Sequence, residues 1–247
     1  MSYKTLMESG EPVFKETVRY KYFKNAVTSE CYFSNYISYK HMPSLHDFKR
    51  DMAYLAAEQM DYHSDYSFVF FAENAELTEE LSHYLKETDF KLEKHIIFTN
   101  LLVNLKLVPR AVEGVSIVLL DETRLDAYVA MKYRQALQYG QLYADQMKAD
   151  TQTNLLENGS KVYLAIKDDE IIGDVTAWFF DDYVEIDDFF VDEAYRGQGI
   201  GTSLQWEASR GFEKVILISE EENRAMYEHQ GYQEVAYYWT ALRSPRS

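Results

Sequence analysis

The sequence predicts an α+β protein, a mixed and mostly antiparallel sheet flanked by helices, preceded by a second, smaller α/β module. Three observations point there. Residues 161–191 read as three successive strands separated by Asp168-Asp169 and Asp181-Asp182 turns. A glycine cluster at 197–201 then opens a helix, which is followed by a strand, a short helix and a last strand. The stretch before Pro109 is aromatic-rich and irregular, and Pro109-Arg110-Ala111-Val112-Glu113-Gly114 supplies breakers that separate modules at 1–112 and 113–247.

In the first module, Phe48, Met52, Leu55, Ala56 and Met60 recur near a 3.6-residue period and predict a helix over 48–60. Residues 67–72 form a short apolar run rich in β-formers, hence a buried strand. A helix is expected over 75–88, then two short strands at 90–93 and 95–104. In the second module, residues 116–120 predict a strand. An amphipathic helix over 123–139 breaks at Gly140, and a further helix over 141–156 stops at Asn158-Gly159. Strands follow at 161–167, 172–180 and 184–191, then the glycine-opened helix, a strand at 214–219, a helix at 223–229 and a strand at 232–242.

Charge narrows the function. The 247 residues carry 25 Lys+Arg against 41 Asp+Glu, a formal charge of −16, which repels nucleic-acid phosphate and anionic lipid in the absence of a basic cluster. No apolar run approaches the ~18 residues that span a bilayer, and the first ten residues lack the apolar core of a secretory signal. One cysteine, Cys31, rules out a disulfide within the chain, so a cytoplasmic location is expected. The six histidines show no pair at ligand spacing, and no metal is expected. Eleven acids and no Lys or Arg lie between Asp168 and Glu193. They form either a solvated face or a cleft that attracts a cation.

Arg196-Gly197-Gln198-Gly199-Ile200-Gly201-Thr202 joins a strand to a helix start, where close backbone approach and unpaired N–H groups suit a phosphate. It is not a P-loop, because Thr202-Ser203 replaces the Lys-Ser/Thr pair after Gly201. Nor is it a dinucleotide fingerprint, because counting from Gly197 the last glycine position is Thr202.

Arg196-x-x-Gly199-x-Gly201 after the acidic strand 184–191 resembles the R/Q-x-x-G-x-G/A signature of the Gcn5-related N-acetyltransferases (GNAT). Asn223-Arg224-Ala225-Met226-Tyr227, ending at Gly231-Tyr232, is similar to that family's next motif, so the likeness covers about residues 115–243. The resemblance implies acetyl-CoA as acyl donor. Its pantetheine would pair with the backbone of Phe189, Phe190 and Val191, and its pyrophosphate with N–H groups of Arg196, Gly197, Gln198, Gly199, Ile200, Gly201 and Thr202. Asn223 would join the site. Glu185 matches the family's general base and Tyr227 the acid that protonates the departing sulfur. Strand alternation places Asp187 on the face of Glu185 and Asp188 opposite, unless a bulge changes the phase. A base is needed because an amine with pKa near 10.4 must lose its proton at pH 7, at a cost of about 4–5 kcal/mol.

The expected activity is N-acetyl transfer by direct attack of a primary amine on a cationic small molecule. Acetylation of a peptide or protein amino group, and acetyl-CoA binding without catalysis, are the alternatives; a homodimer is left open. Residues 1–108 are expected to form either a degenerate acetyltransferase-like module that cannot bind CoA or an unrelated α+β domain. Residues 67–90 repeat the order of 215–232, with Leu85 where Tyr227 stands and Asp89 where Gly231 stands, and no R-x-x-G-x-G occurs before Ser67.

Overall fold

The computed structural model describes residues 2–157 and 159–244; Asn158, half of the helix stop expected at 158–159, lies outside them. The chain forms two compact units, Met1–Ile96 with Ala236–Ser247, and Ile97–Val235. The boundary expected at 112/113 lies within the second of these.

The first unit holds helix α1 (Tyr3–Met7), strands β1 (Val13–Glu16), β2 (Tyr20–Phe23) and β3 (Tyr36–Tyr39), helix α2 (Leu45–Glu58), strand β4 (Ser67–Phe70), helix α3 (Glu79–Glu87) and the start of β5 (Lys91–Leu101). Two expectations need correction here. The first 40 residues are not irregular, and the two short strands expected at 90–104 are one continuous β5. The reason is visible in β2 and β3. Each is four residues long and buried on both faces, by Tyr20, Tyr22 and Phe23 in β2 and by all four residues in β3, which is too short a span for an apolar–polar alternation to mark it.

Helix α2 begins at Leu45, ahead of the expected residue 48, because the Ser44 hydroxyl accepts from the Asp47 N–H and caps the first turn. Its Phe48, Met52 and Leu55 pack with Tyr22, Tyr39, Val69, Phe71, Leu85 and Phe90. The Phe48 ring lies 6.1 Å from Phe71 and 5.7 Å from Phe90. Strand β4 runs parallel to β3, and its other edge pairs antiparallel with Thr240–Arg243 of the last strand, β11 (Gln233–Arg243). The C-terminal strand therefore completes the first unit, with Ala241 fully buried in the aromatic core.

The second unit contains the expected order. Strand β6 (Val115–Leu119) is followed by α4 (Glu122–Ala136), α5 (Gln141–Asn154), β7 (Lys161–Lys167), β8 (Glu170–Phe180), β9 (Tyr183–Val191), α6 (Ile200–Ser209), β10 (Lys214–Glu220), α7 (Arg224–His229) and the start of β11. Strands β6 to β9 pair antiparallel in sequence, and β10 joins β9 in parallel. Asp168 and Asp169 turn the β7–β8 hairpin with φ of 48° and 65°, the left-handed pair that a type I′ turn demands. Residues of β5 complete this sheet beside β10, with the Thr99 hydroxyl donating to Val215 O at 2.7 Å and Leu102 N to Glu213 O at 2.8 Å. No helix among the described residues is long and apolar enough to cross a membrane.

The first unit is thus closed by a strand from the far end of the chain. Ala241→Asp would bury an unpaired carboxylate in the first unit and is expected to cost about 3 kcal/mol or more. Thermal unfolding followed by near-ultraviolet circular dichroism reads this, and an unchanged melting temperature would show that β11 is dispensable to the first unit.

Candidate active site

The site grows from the exit of β9. Asp192 accepts the Ala194 N–H at 2.9 Å, and the Arg196 Nε donates to Val191 O at 3.0 Å, which fixes the turn into α6. Gly199 is the N-cap residue with φ of 90°, and no side chain caps the helix. The first N–H groups of α6 are therefore left for an outside partner. Two glycines are sterically required. A Cβ on Gly199 would lie 3.0 Å from Arg110 Cδ, and one on Gly201 would lie 2.7 Å from Phe189 Cζ. Ile200, Leu204 and Ala208 bury the inner face of α6, holding its open end in place.

Strands β9 and β10 pair only from Tyr183 with Lys214 to Ile186 with Leu217. Beyond that point β9 continues to Val191 and β10 to Glu220 as strands without a mutual ladder. The parting opens a groove of about 1070 Å³ lined by Phe189, Phe190, Val191, Arg196, Gly197, Gly199, Ile200, Gly201, Thr202 and Asn223 from the expected set. Gln198 is not part of the lining; its side chain turns back to Ala194 O at 3.4 Å. Asn223 donates to the Ser219 hydroxyl at 3.1 Å. Sequence reasoning missed Lys106, Arg110 and His229, which also line the groove. Arg110 is held against the turn by its N–H, which donates to the Ser203 hydroxyl at 3.1 Å. It had been read only as part of a breaker segment, and its sequence distance from the glycines gave no signal.

A second cavity, of about 520 Å³, shares Phe189 and Phe190 with the groove. Its chemistry comes from a bulge. Phe190 pairs with Asp174 and Asp187 with Thr176, so β9 spends one more residue than β8 across this interval. Asp188 takes φ of 44° and donates its N–H to Asp187 Oδ1 at 2.8 Å. The strict alternation that put Asp188 opposite Asp187 is overturned, since both carboxylates line the second cavity. Glu185 lies below the bulge between Trp178 on β8 and Ile216 on β10, and it lines neither cavity. Tyr227 turns inward from α7. Its ring lies 5.7 Å from both Phe98 and Tyr232, and Met226 rather than Tyr227 lines the groove.

Lys132 of α4 reaches this cavity and bridges Asp174 at 3.1 Å and Asp188 at 2.7 Å. The Tyr128 hydroxyl donates to the same Asp174 oxygen at 3.2 Å. Burial works against the Lys132 charge, yet Asp188 and Asp174 overcome it and raise its pKa. Asp174 is fully buried, and burial pushes its carboxyl up to about 6 despite Lys132, with Asp188 adding to the rise. Asp187 keeps exposed surface, but protein crowds its carboxylate. That desolvation, with the Asp188 charge, raises its pKa while the Asp188 N–H and Trp178 pull it down. Burial likewise raises the Tyr227 phenol, which keeps its proton at neutral pH. Among the described residues no cluster of His, Cys, Asp and Glu suits a metal ion.

Residues 158–234 match the family model of the acetyltransferase (GNAT) domain. Residues 1–98 match a domain of unknown function, DUF5613. The GNAT resemblance read from the glycine turn is borne out, and so is the mixed, mostly antiparallel fold. The chain is similar to a functionally unknown conserved protein from Staphylococcus epidermidis ATCC 12228, with 22% identity and a TM-score of 0.87 over 100% of this chain and 98% of that one. A GCN5-related N-acetyltransferase from Kribbella flavida aligns at 11% identity and a TM-score of 0.62, covering 98% and 94% of the two chains. A tandem GNAT protein from the clavulanic acid biosynthesis pathway aligns at 12% identity and a TM-score of 0.53, covering 85% and 76%. Among curated proteins, none matches the chain by sequence.

Asp174 gives the GNAT domain a pH signature. The native carboxyl holds its proton up to about pH 6, whereas an unfolded chain releases it near 3.8, so the fold binds the extra proton between those values. Its contribution to stability is full below that window and is lost as pH rises through it. Wild type is expected to lose stability from about pH 4 to about pH 6 relative to Asp174→Asn, which has no proton to release there. Parallel denaturation midpoints for the two proteins across this range would contradict the assignment.

Proposed function

We propose that the protein transfers the acetyl group of acetyl-CoA to a primary amine by direct attack. One observation carries this reading. In a chain of net charge −16, the groove at the glycine turn is lined by Lys106, Arg110 and Arg196 and by no Asp or Glu. Such a groove selects an extended polyanion, and the uncapped start of α6 adds N–H donors and the positive end of the helix dipole. The residues fit the donor well. The turn from Arg196 to Thr202 would hold the pyrophosphate, and the backbone of Phe189 to Val191, freed from β10, would pair with the amide-bearing arm. When bound, acetyl-CoA supplies an acyl group already activated as a thioester.

The protein's own part is to orient the amine and move its proton. Asp187 and Asp188 lie where the second cavity meets the groove at Phe189 and Phe190. Asp188 is committed to Lys132, so Asp187 is assigned as the base. Glu185, the base implied by the family motif, stands off the cavity and serves as the comparison. Tyr227 is kept as proton donor to the leaving sulfur on the family motif alone: its phenol stays protonated, but its ring turns toward Phe98 and Tyr232 and off the groove. A small-molecule acceptor and a cytoplasmic setting belong to the same reading.

Calorimetry tests the donor half. Lys106→Ala and Arg110→Ala are each expected to weaken acetyl-CoA binding roughly tenfold and to flatten its salt dependence. Thiol release tests the chemistry. Asp187→Asn is expected to lower turnover roughly 100-fold with acetyl-CoA affinity kept, Tyr227→Phe to lower it less, and Glu185→Gln to leave the proton step in place. Absence of binding to wild type would sink the whole reading, whereas binding without turnover for any amine would leave a non-catalytic acetyl-CoA module.

A further inference from the structure

We infer that the acceptor is a monoamine carried on an aromatic body, an arylalkylamine, rather than a polyamine or a basic peptide. The inference rests on the acetyltransferase reading above and deepens it at the second cavity. Six aromatic side chains line that cavity, Tyr128, Tyr139, Tyr143, Trp178, Phe189 and Phe190. Tyr139 is 70% exposed and meets Tyr143 edge-to-face at 5.5 Å, so an open aromatic wall stands at its side. Such a wall gains area and ring contacts from a flat apolar body, and it gains little from an extended, hydrated chain of ammonium groups.

The charges point the same way. Three carboxylates line the cavity, and of these Asp188 is ion-paired. Asp188 pairs with Lys132 at 2.7 Å, and Asp150 accepts from the Asn154 amide at 2.8 Å. Asp187 forms no ion pair among the described residues, and the indole of Trp178, which also lines the cavity, hydrogen-bonds to it. Asp187, next to the residues the cavity shares with the groove, is the carboxylate placed for the reacting ammonium. A second cationic centre close to it would meet the Lys132 ammonium, which disfavours a closely spaced polyamine. The bulge at Asp188 sets this arrangement, because without the extra residue the carboxylate that Lys132 ties down would face the other side of the sheet.

The reaction balances with these groups. The acceptor ammonium gives a proton to Asp187, its nitrogen bonds to the acetyl carbon, the carbon–sulfur bond breaks, and the sulfur leaves as the thiol with the proton supplied by Tyr227. The nitrogen's second proton returns through water to Tyr227, and Asp187 gives its proton to solvent, so that one proton is released per turnover. The products are the N-acetyl amine and free CoA.

The test compares 2-phenylethylamine, spermidine and a lysine-containing peptide as acceptors with the intact protein, alongside calorimetric titration of 2-phenylethylamine. The expected result is a kcat/KM for 2-phenylethylamine about tenfold or more above the other two. Trp178→Ala is expected to raise its KM roughly tenfold with a smaller change in kcat, and Asp187→Asn to weaken its binding as well as its turnover. Equal kcat/KM for the three acceptors, or a lead for spermidine or the peptide, would overturn the inference while leaving the acetyltransferase reading intact. Calorimetric binding of 2-phenylethylamine that is unchanged in both variants would overturn it without reference to turnover. If acetyl-CoA binds and no amine is acetylated, both this inference and the catalytic reading fall.

Discussion

The parting of β9 from β10 after Ile186 is the constraint on which the rest depends. Before that point the two strands satisfy each other's backbone groups. After it the inner edge of β9 needs another partner, because unpaired N–H and C=O groups in a sheet interior are costly. A groove forms rather than a collapsed seam because large side chains hold its walls. Phe189 packs against Gly201, where even a methyl group would collide, and Gly173 lets Leu204 of α6 close against β8. The glycines therefore have two different tasks. Gly199 adopts a backbone conformation that other residues resist, whereas Gly201 and Gly173 make room.

The same strand separates two electrostatic environments. Its outer half faces a groove free of carboxylates, and its bulge presents Asp187 and Asp188 to an aromatic cavity. Keeping a polyanion site next to a carboxylate site demands that the acids be pinned. Lys132 does this from α4, holding Asp188 and the buried Asp174 with one ammonium. Removing Lys132 would leave two carboxylates crowded together with no counter-charge, so its long reach from α4 is a structural necessity before it is anything else.

Much of the second unit was legible in the sequence because its signals are local. Three strands with Asp-Asp turns, a glycine turn and a helix that breaks at Gly140 each declare themselves within ten residues or so. What was not legible depended on distance or on phase. Arg110 reaches Gly199 from far along the chain, and no pattern in residues 109–114 announced it. The bulge at Asp188 adds one residue, which no alternation rule detects, and it moved the acidic site from Glu185 toward Asp187 and Asp188. In the first unit β2 and β3 are short and tyrosine-filled, and the Tyr39 hydroxyl donates to Asp51 at 3.3 Å. Their burial is set by tertiary packing, which a periodicity reading cannot supply.

The two units resemble each other in ways that locate what the first one lacks. Helix α3 ends at Asp89 with φ of 59°, and Phe90 N donates to Leu85 O at 2.9 Å; helix α7 ends at Gly231 with φ of 97°, and Tyr232 N donates to Tyr227 O at 3.0 Å. The same capping bond thus spans the same separation in both, with Leu85 in place of Tyr227. Each unit also sets a parallel strand pair beside a helix, β3 and β4 with α2, and β9 and β10 with α6. The likeness stops at the ligand features. Strands β3 and β4 end within one residue of their last pair, so no free backbone edge extends past the ladder. Helix α2 is capped by its own Ser44, with Asp47 in the first turn, where α6 is bare. A carboxylate at that helix start repels phosphate and a hydroxyl already occupies a donor that phosphate would use. The strand pair and helix of the first unit therefore match those of the second in order and in the capping bond, and differ from them at the helix start and at the strand ends.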